Sequence, residues 1–473
     1  MNGLECSEIM YSDYLENRRF DSEFYLKNDL LMLNLMRKKF NVAYLENYAD
    51  ITDGIHESII YSKTSGINLI SAKAPKNNIF NLSSSGFISK EQHVSNYRTS
   101  LRDKDIILST VGTIGNCAVV DENILPANSD RHVGIIRLKK EEFKPYYIST
   151  FILSAFGQIQ TKRHTTGNVQ PNLFIEKLKI LEIPLMSKCI QDVINDSVIK
   201  ALKIYYHSKE IYSEAEQILL KALNMDNFVP SQQNTTTKSL SQFMNAGRLD
   251  AEYFQPKYDD IENKIKFLQE DKKSEYFTVN NIISEGNRVI KIEDKKEYKY
   301  IELSDIDNYG NVTDCTIDIG INLPSRARKE VYTGDVIVSS LEGSLQKCAI
   351  ITETFNGALV STGFHVIKSD EINSETLLLL FKSWFMQELM RKHSTGAIMA
   401  ATSDDSFKKI LLPVVKLDVQ EMIANKIQKS FELRAKSNEL LEAAKKAVEI
   451  AIEKNEETAM QYLAQFECVG KEV

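Results

Sequence analysis

Few residues in this sequence could perform chemistry, and those few occur twice. His164-Thr165-Thr166-Gly167 and His393-Ser394-Thr395-Gly396 each set a histidine beside hydroxyl side chains, the raw material of a base and a nucleophile. Such a pair needs an orienting acid in space, so polar residues on a loop before a strand are the simpler reading. Other catalytic signatures are missing. There is no GxxxxGK loop ending in Ser or Thr, no GxGxxG turn, no HExxH, no GxSxG, and no Asn-Pro-Pro-aromatic tetrad of the kind that holds a flipped base. The seven histidines are too dispersed for a metal site, and Cys6, Cys117, Cys189, Cys315, Cys348 and Cys468 show no CxxC spacing. Reduced thiols in a cytoplasmic protein follow, and neither a disulfide scaffold nor a zinc ribbon is expected.

The elements that would position these residues form two long units. Arg19-Phe20-Asp21-Ser22-Glu23-Phe24-Tyr25 returns as Arg248-Leu249-Asp250-Ala251-Glu252-Tyr253-Phe254, an offset of 248 − 19 = 229. The same offset joins the two His-Thr/Ser-Thr-Gly runs, Pro184 to Pro413, and Gln191 to Gln420. In mid-unit it drifts by a residue or two. Asp105-Ile106-Ile107-Leu108-Ser109-Thr110 matches Asp335-Val336-Ile337-Val338-Ser339-Ser340, and Cys117-Ala118-Val119-Val120 matches Cys348-Ala349-Ile350-Ile351. Several anchors at one offset identify an internal repeat.

Each unit begins with short β-like runs broken by Gly, Asn, Asp and Pro, mixed with helical stretches such as Thr376 to Arg391, which predicts an α+β globule. Each ends differently. Apolar residues at steps of three and four run from Ile190 through Leu223, and again from Val419 through Ile452. This is the pattern of a long helix with one apolar stripe, about 50 Å long in the first unit. The predicted seam uses Ile194, Val198, Ile211, Ala215, Leu219 and Leu223 on one helix, with Ile423, Ile427, Leu440, Ala444, Val448 and Ile452 on the other. A pseudo-dyad makes the pair antiparallel, a coiled-coil stalk able to hold the two halves without globule contact. The expected division is a first globule over 11–188, a helix over 189–224, a polar linker over 225–239, a second globule over 240–413 and a second helix over 414–465.

The 473 residues, 43% hydrophobic and 26% charged, suit a globular protein of two or more domains. No apolar run approaches the ~18 residues of a membrane span. The N-terminus is acidic where a signal peptide would be basic. The formal charge of −7 argues against indiscriminate coating of nucleic acid, though not against a specific binder with local basic surfaces.

Taken in order, the RhDxE-aromatic run, Asp53-Gly54-Ile55-His56, Ser109-Thr110-Val111-Gly112-Thr113-Ile114-Gly115, Gly167-Asn168-Val169-Gln170-Pro171-Asn172-Leu173, Ile183-Pro184 and the long helix resemble the specificity subunit of type I restriction–modification systems over nearly the whole chain. The resemblance implies two target-recognition domains held apart by two antiparallel helices. Each domain would read one half of a split, asymmetric DNA sequence, and the helices would fix the unread spacer. It also implies a subunit with no catalysis of its own, partnered by two modification (methyltransferase) subunits and by restriction motor-nuclease subunits. Those partners, not this chain, would bind S-adenosylmethionine, ATP and Mg. A structural adaptor that binds no DNA, or the specificity part of a fused restriction/methylation enzyme, are the alternatives.

On this reading, phosphate or base contacts in the first unit fall to Lys63, Lys73, Lys76, Arg98, Arg131, Lys162 and Arg163, with Asn168 and Gln170 as base-edge readers. The globules differ in charge. Residues 17–188 hold 23 Lys+Arg against 17 Asp+Glu, whereas residues 248–413 hold 21 against 27. The acidic second globule either gathers its cations on one face, for which Arg326, Arg328, Lys329, Lys347, Arg391 and Lys392 are the candidates, or has lost DNA affinity, or leans on partner subunits for phosphate contacts.

Overall fold

The computed structural model describes residues 8–17, 19–167, 171–268, 277–285, 288–396 and 400–467. The chain divides into two compact units. The first comprises residues 1–205 with 434–473, and the second comprises 206–433. These units depart from the division expected from sequence, because each contains part of both long helices.

In the first unit, a short helix (Tyr11–Asn17) precedes the helix Lys27–Lys39. One four-stranded antiparallel sheet then runs in the order Ala49–Asp53, Val133–Leu138, Ile106–Ser109, Cys117–Val119. A second sheet has the order Ala127–Ser129, Ile67–Ile70, Gly86–Ile88, Tyr61–Ser62, and its first pair is parallel. Both faces of Ile106–Ser109 are buried, which is why that run is apolar throughout.

The second unit reuses this plan. Its first sheet is Ser284–Glu285, Phe364–Lys368, Val336–Ser339, Cys348–Ile350, in the same order. Its second sheet again pairs Glu297–Ile301 in parallel with Ala358–Ser361. At the edge the units differ. Ala327–Val331 pairs with Ala358–Ser361 through a register shift, where the first unit has only the single bridge Ser100 to Asn128. The segment expected as one helical stretch from Thr376 is two helices, Ser374–Lys382 and Trp384–His393, broken at Ser383.

The first long helix spans Lys188–Ala222 and the second Leu417–Glu453, followed by a separate helix Glu456–Glu467. The expected single helix over 414–465 is therefore interrupted. Asn455 caps the last helix through its side-chain oxygen, which accepts from Thr458 N at 2.8 Å.

Within each unit the helix segments run antiparallel. In the first, Ser437 Oγ donates to Ala201 O at 2.7 Å, and in the second, Ser430 Oγ donates to Ser208 O at 2.8 Å. Going from Ala201 to Ser208 is 208 − 201 = 7 residues forward, and from Ser437 to Ser430 is 437 − 430 = 7 back. Buried hydroxyls bonded to the facing backbone fix this register as polar residues do in coiled coils.

All the expected seam residues are buried except Ile211, which is half-buried. The seam is not self-contained, however. Ile190 and Ile194, with Ala443, Ala447, Val448 and Ile452, join one core with Leu33, Met36, Ile106, Leu108 and Tyr147 of the first globule. Tyr212, Ala215, Leu219, Leu223, Ile423 and Ile427 join the core of the second with Ile261, Val336, Val338 and Leu377. The helices pack on the globules as well as on each other, because a stripe this wide buries more apolar surface against two neighbours than against one. The polar linker is also held in place. Ser231 N donates to Asp260 Oδ2 at 2.9 Å, Lys238 pairs with Asp259, and Phe228 stacks on Trp384.

Candidate nucleic-acid interface

The two repeated signatures meet in space, once in each unit. Arg19 grips Asp21 with two hydrogen bonds of 2.8 and 2.6 Å, and its Nη1 donates to the carbonyls of Arg163 and Thr165. Arg248 grips Asp250 at the same two distances and donates to the carbonyls of Lys392 and Ser394. Each partner is displaced by 229, since 163 + 229 = 392 and 165 + 229 = 394. An aromatic ring completes the node. Phe24 lies between the guanidinium groups of Arg19 (4.8 Å) and Arg163 (4.2 Å), and Tyr253 between Arg248 (4.7 Å) and Lys392 (5.0 Å). His164 and His393 set their rings edge-on to the same aromatics.

Burial, reinforced by Arg163, Lys177 and Arg19, pushes the His164 imidazole down to about 4. Burial with Lys392, Arg248 and Lys409 pushes His393 down to about 3. Both histidines end a helix rather than sit on a loop, and both are neutral parts of a clamp that pins the start of each globule to the end of its helix. No acid orients either ring toward the neighbouring hydroxyls among the described contacts.

The motif around Ser109 to Gly115 also meets the segment after His164. Leu173 N donates to Thr110 O at 2.9 Å, and Thr166 and Asn172 exchange backbone hydrogen bonds of 2.9 and 2.8 Å. In the second unit Thr402 N donates to Ser340 O at 2.9 Å. A groove of about 1090 Å³ lies against this junction in the first unit, lined by Arg19, Asp21, Thr113, Gln158, Lys162 and Pro171 among others.

Beside it is a smaller cleft of about 410 Å³, lined by Asp53, His56, Thr110, Arg131, His132, Asn172 and Phe174. Here the Asp53-Gly54-Ile55-His56 run finds its purpose. A Cβ on Gly54 would lie 2.1 Å from Asp130 O and 2.3 Å from Ser129 O, so only glycine lets the loop reach the strand. That approach sets His56 Nε2 2.5 Å from Asp53 Oδ2, Arg98 3.5 Å from Asp53 Oδ1, and Arg131 Nε 3.4 Å from His132 Nε2.

The structure thus places Arg131 on this cleft, Arg98 against the Asp53 that lines it, and Lys162 on the adjoining groove. Lys63, Lys73 and Lys76 are exposed elsewhere on the first globule. Arg163 is half-buried at the clamp, where its Nε donates to Phe24 O at 2.8 Å and its guanidinium lies 4.2 Å from the centre of the Phe24 ring. Asn168 and Gln170 lie outside the described residues.

In the second unit the expected single basic face does not form. Lys329 is buried, with Nζ donating to Phe364 O at 2.7 Å, and Lys392 is buried against Glu262 and Tyr253. Lys347 donates to Ile306 O at 2.5 Å, and its ammonium pKa is pushed down by burial. Arg391 pairs with Glu388. Arg326 and Arg328 stay exposed, and Lys291 joins them because Ile290 N donates to Arg328 O at 3.0 Å.

Sequence reasoning missed the anchors beneath these surfaces. Asp105 and Asp335, equivalent in the repeat and both buried, are each met by an arginine, Arg137 at 2.6 Å and Arg288 at 2.6 Å. The two arginines come from non-equivalent positions, so the repeat carried no signal for them. His132 and the exposed Phe174 were also missed, because neither belongs to a repeated run. Among the described residues no group of three or more His, Cys, Asp or Glu could hold a metal ion, and no helix is long and apolar enough to cross a membrane.

No family model and no curated protein matches the chain. Among solved structures it is similar to the S subunit of a type I restriction–modification system from M. genitalium, at 13% identity over 90% of this chain and 96% of that one, with a TM-score of 0.39. It is also similar to the HsdS subunit from Thermoanaerobacter tengcongensis, at 13% identity over 88% and 97% of the two chains, TM-score 0.29. A third similarity is to a structure titled for complex assembly and conformational transition of the type I R-M system, at 12% identity over 90% and 97%, TM-score 0.28.

Proposed function

We propose that this chain is a sequence-specific DNA-binding specificity subunit, non-catalytic in itself, that reads a split DNA target with one half per unit. It would recruit modification subunits, and restriction subunits, of a type I restriction–modification complex. The observation that carries the reading is the depth of the repeat. It extends from strand order to individual hydrogen bonds at the clamp, while the exposed clefts differ between the units. One scaffold bearing two unlike reading surfaces fits an asymmetric bipartite target.

The first surface is the cleft of Arg98, Arg131 and His56, with Lys162 on the groove beside it. The second is the edge carrying Lys291, Arg326 and Arg328. Arginine at a base edge pairs bidentately with guanine, and at a phosphate it positions the duplex without reading it. The neutral histidines of the clamps and the missing catalytic motifs favour recognition over reaction. The helices that run through both units serve as the ruler for the unread spacer. The test is methylation sequencing of DNA from cells that carry this chain together with a type I methyltransferase subunit. A split motif that disappears when the gene for this chain is deleted supports the proposal. A continuous motif, or one that survives the deletion, refutes it.

A further inference from the structure

The cleft of the first unit holds an exposed aromatic that folding does not require. Phe174 is 57% exposed and lines the cleft with Asn172, Arg131, His56 and His132. It is the N-cap of the helix Ile175–Lys179 and gives that helix no side-chain hydrogen bond. Its backbone is fixed all the same. Leu173 N donates to Thr110 O, and Phe174 O accepts from Lys177 N at 2.8 Å and from Leu178 N at 3.1 Å. The second unit fills the same position as helix formation prefers. The equivalent residue, 174 + 229 = 403, is Ser403, which caps the helix Asp404–Phe407 by accepting from Ser406 N at 3.3 Å. The backbones correspond as well, since Thr166 pairs with Asn172 as Thr395 pairs with Ala401. The first unit therefore lacks a cap of the usual Ser, Thr, Asp or Asn type and holds a phenyl ring in water instead.

Asn172 belongs with this ring. The two residues are two apart in extended backbone, with φ −64° and ψ 147° at Phe174, so they face one way while Leu173 between them joins the core. Asn172 bonds Thr166 through its backbone, which leaves its side-chain amide to the cleft. Its counterpart Ala401 has no such group. One amide and one apolar ring thus stand side by side, with the exposed cation of Arg131 next to them. An A·T pair presents the complement in the major groove: an acceptor and a donor at adenine N7 and N6, and a methyl group on thymine. An asparagine amide meets the first two bidentately, and a phenylalanine ring packs on the third. Arginine beside them suits the phosphates that flank any base pair.

We infer that Asn172 and Phe174 together read one A·T base pair in the half-site of the first unit, Asn172 at the adenine and Phe174 at the thymine methyl. This inference rests on the proposed function for the presence of DNA in the cleft. It adds the base pair and the two side chains that choose it. With Ala401 and Ser403 at the equivalent places, the second unit has no such reader there.

The test selects bound duplexes from a randomised pool, using the full chain together with a type I methyltransferase subunit. The variants are Asn172→Ala and Phe174→Ser. The serine is the residue that caps the second unit's helix, so this variant should melt no lower than wild type while its recognition changes. The expected result is a split motif for wild type in which both variants relax one and the same A·T position, leaving the other half and the spacer as they were. Relaxation at two different positions, relaxation at a G·C position, or no relaxation in either variant would overturn the inference. A wild-type complex that enriches no split motif would instead remove the proposed function, and this inference with it. Base analogues then tie each side chain to its atom. Uracil in place of that thymine removes only the methyl group, and should weaken wild-type binding about fourfold and leave Phe174→Ser unaffected. In place of its adenine, 7-deazaadenine removes the N7 acceptor, and should weaken wild type about fivefold and leave Asn172→Ala unaffected. A wild type indifferent to both analogues, or equal losses in wild type and variants, would also overturn the inference.

Discussion

Replacing His393 with Gln should make the second unit less sensitive to acid. His393 is 7% exposed and its imidazole is held down to about 3, by burial first and then by Lys392, Arg248 and Lys409. In the unfolded chain a histidine takes up its proton near 6.5. Between these values the unfolded state binds a proton that the folded state refuses, so stability falls as pH falls below about 6.5. From pH 7 to pH 5 this one group costs about 2 kcal/mol, because each unit of pH below the unfolded value is worth about 1.4 kcal/mol. The glutamine variant lacks that term whatever its stability at pH 7. Trp384 makes the measurement local, since it is the one tryptophan of the chain and begins the helix that His393 ends. Urea unfolding followed by its fluorescence at pH 7, 6 and 5 should show wild type losing about 2 kcal/mol more than the variant. Equal losses would show that His393 is not held neutral, and the clamp would have to be redrawn with a charged histidine.

Arg19→Ala removes two bonds to Asp21, two to backbone carbonyls and a stacking contact, and should lower first-unit stability by about 2–4 kcal/mol in thermal unfolding. Gly54→Ala drives a Cβ into the Asp130 backbone and should cost about 1–3 kcal/mol in the same measurement, while weakening binding to the first half-site. Arg131→Ala should weaken DNA binding and lower the salt slope by about one if it meets a phosphate, whereas Arg163→Ala should lower stability and leave the salt slope of the surviving folded protein alone. Adding four residues after Ile204 and four after Leu433, in step with the antiparallel Ser437–Ala201 and Ser430–Ser208 contacts, lengthens both helices by about 6 Å. Methylation sequencing should then show a spacer longer by one or two base pairs with both half-sites unchanged.

The sequence by itself determined the twofold plan of this protein, because a repeat is a relation between residue types at one offset and needs no coordinates to be seen. The antiparallel sense of the helices was only an expectation from that plan, and it is the Ser437–Ala201 and Ser430–Ser208 hydrogen bonds that carry it. What it could not determine was where that helical stripe would be spent, or which cations would face solvent. Those are settled by partners far away along the chain. Lys392 is internal because Glu262 stands 130 residues before it, and Lys329 because the carbonyl of Phe364 lies 35 residues after it. Lysine and arginine look alike in a sequence whether they meet a phosphate or a buried carboxylate. The desolvation that distinguishes the two belongs to the folded surroundings of the side chain. Only the tertiary structure turned the His-Thr/Ser-Thr-Gly runs from a possible base and nucleophile into neutral members of a clamp.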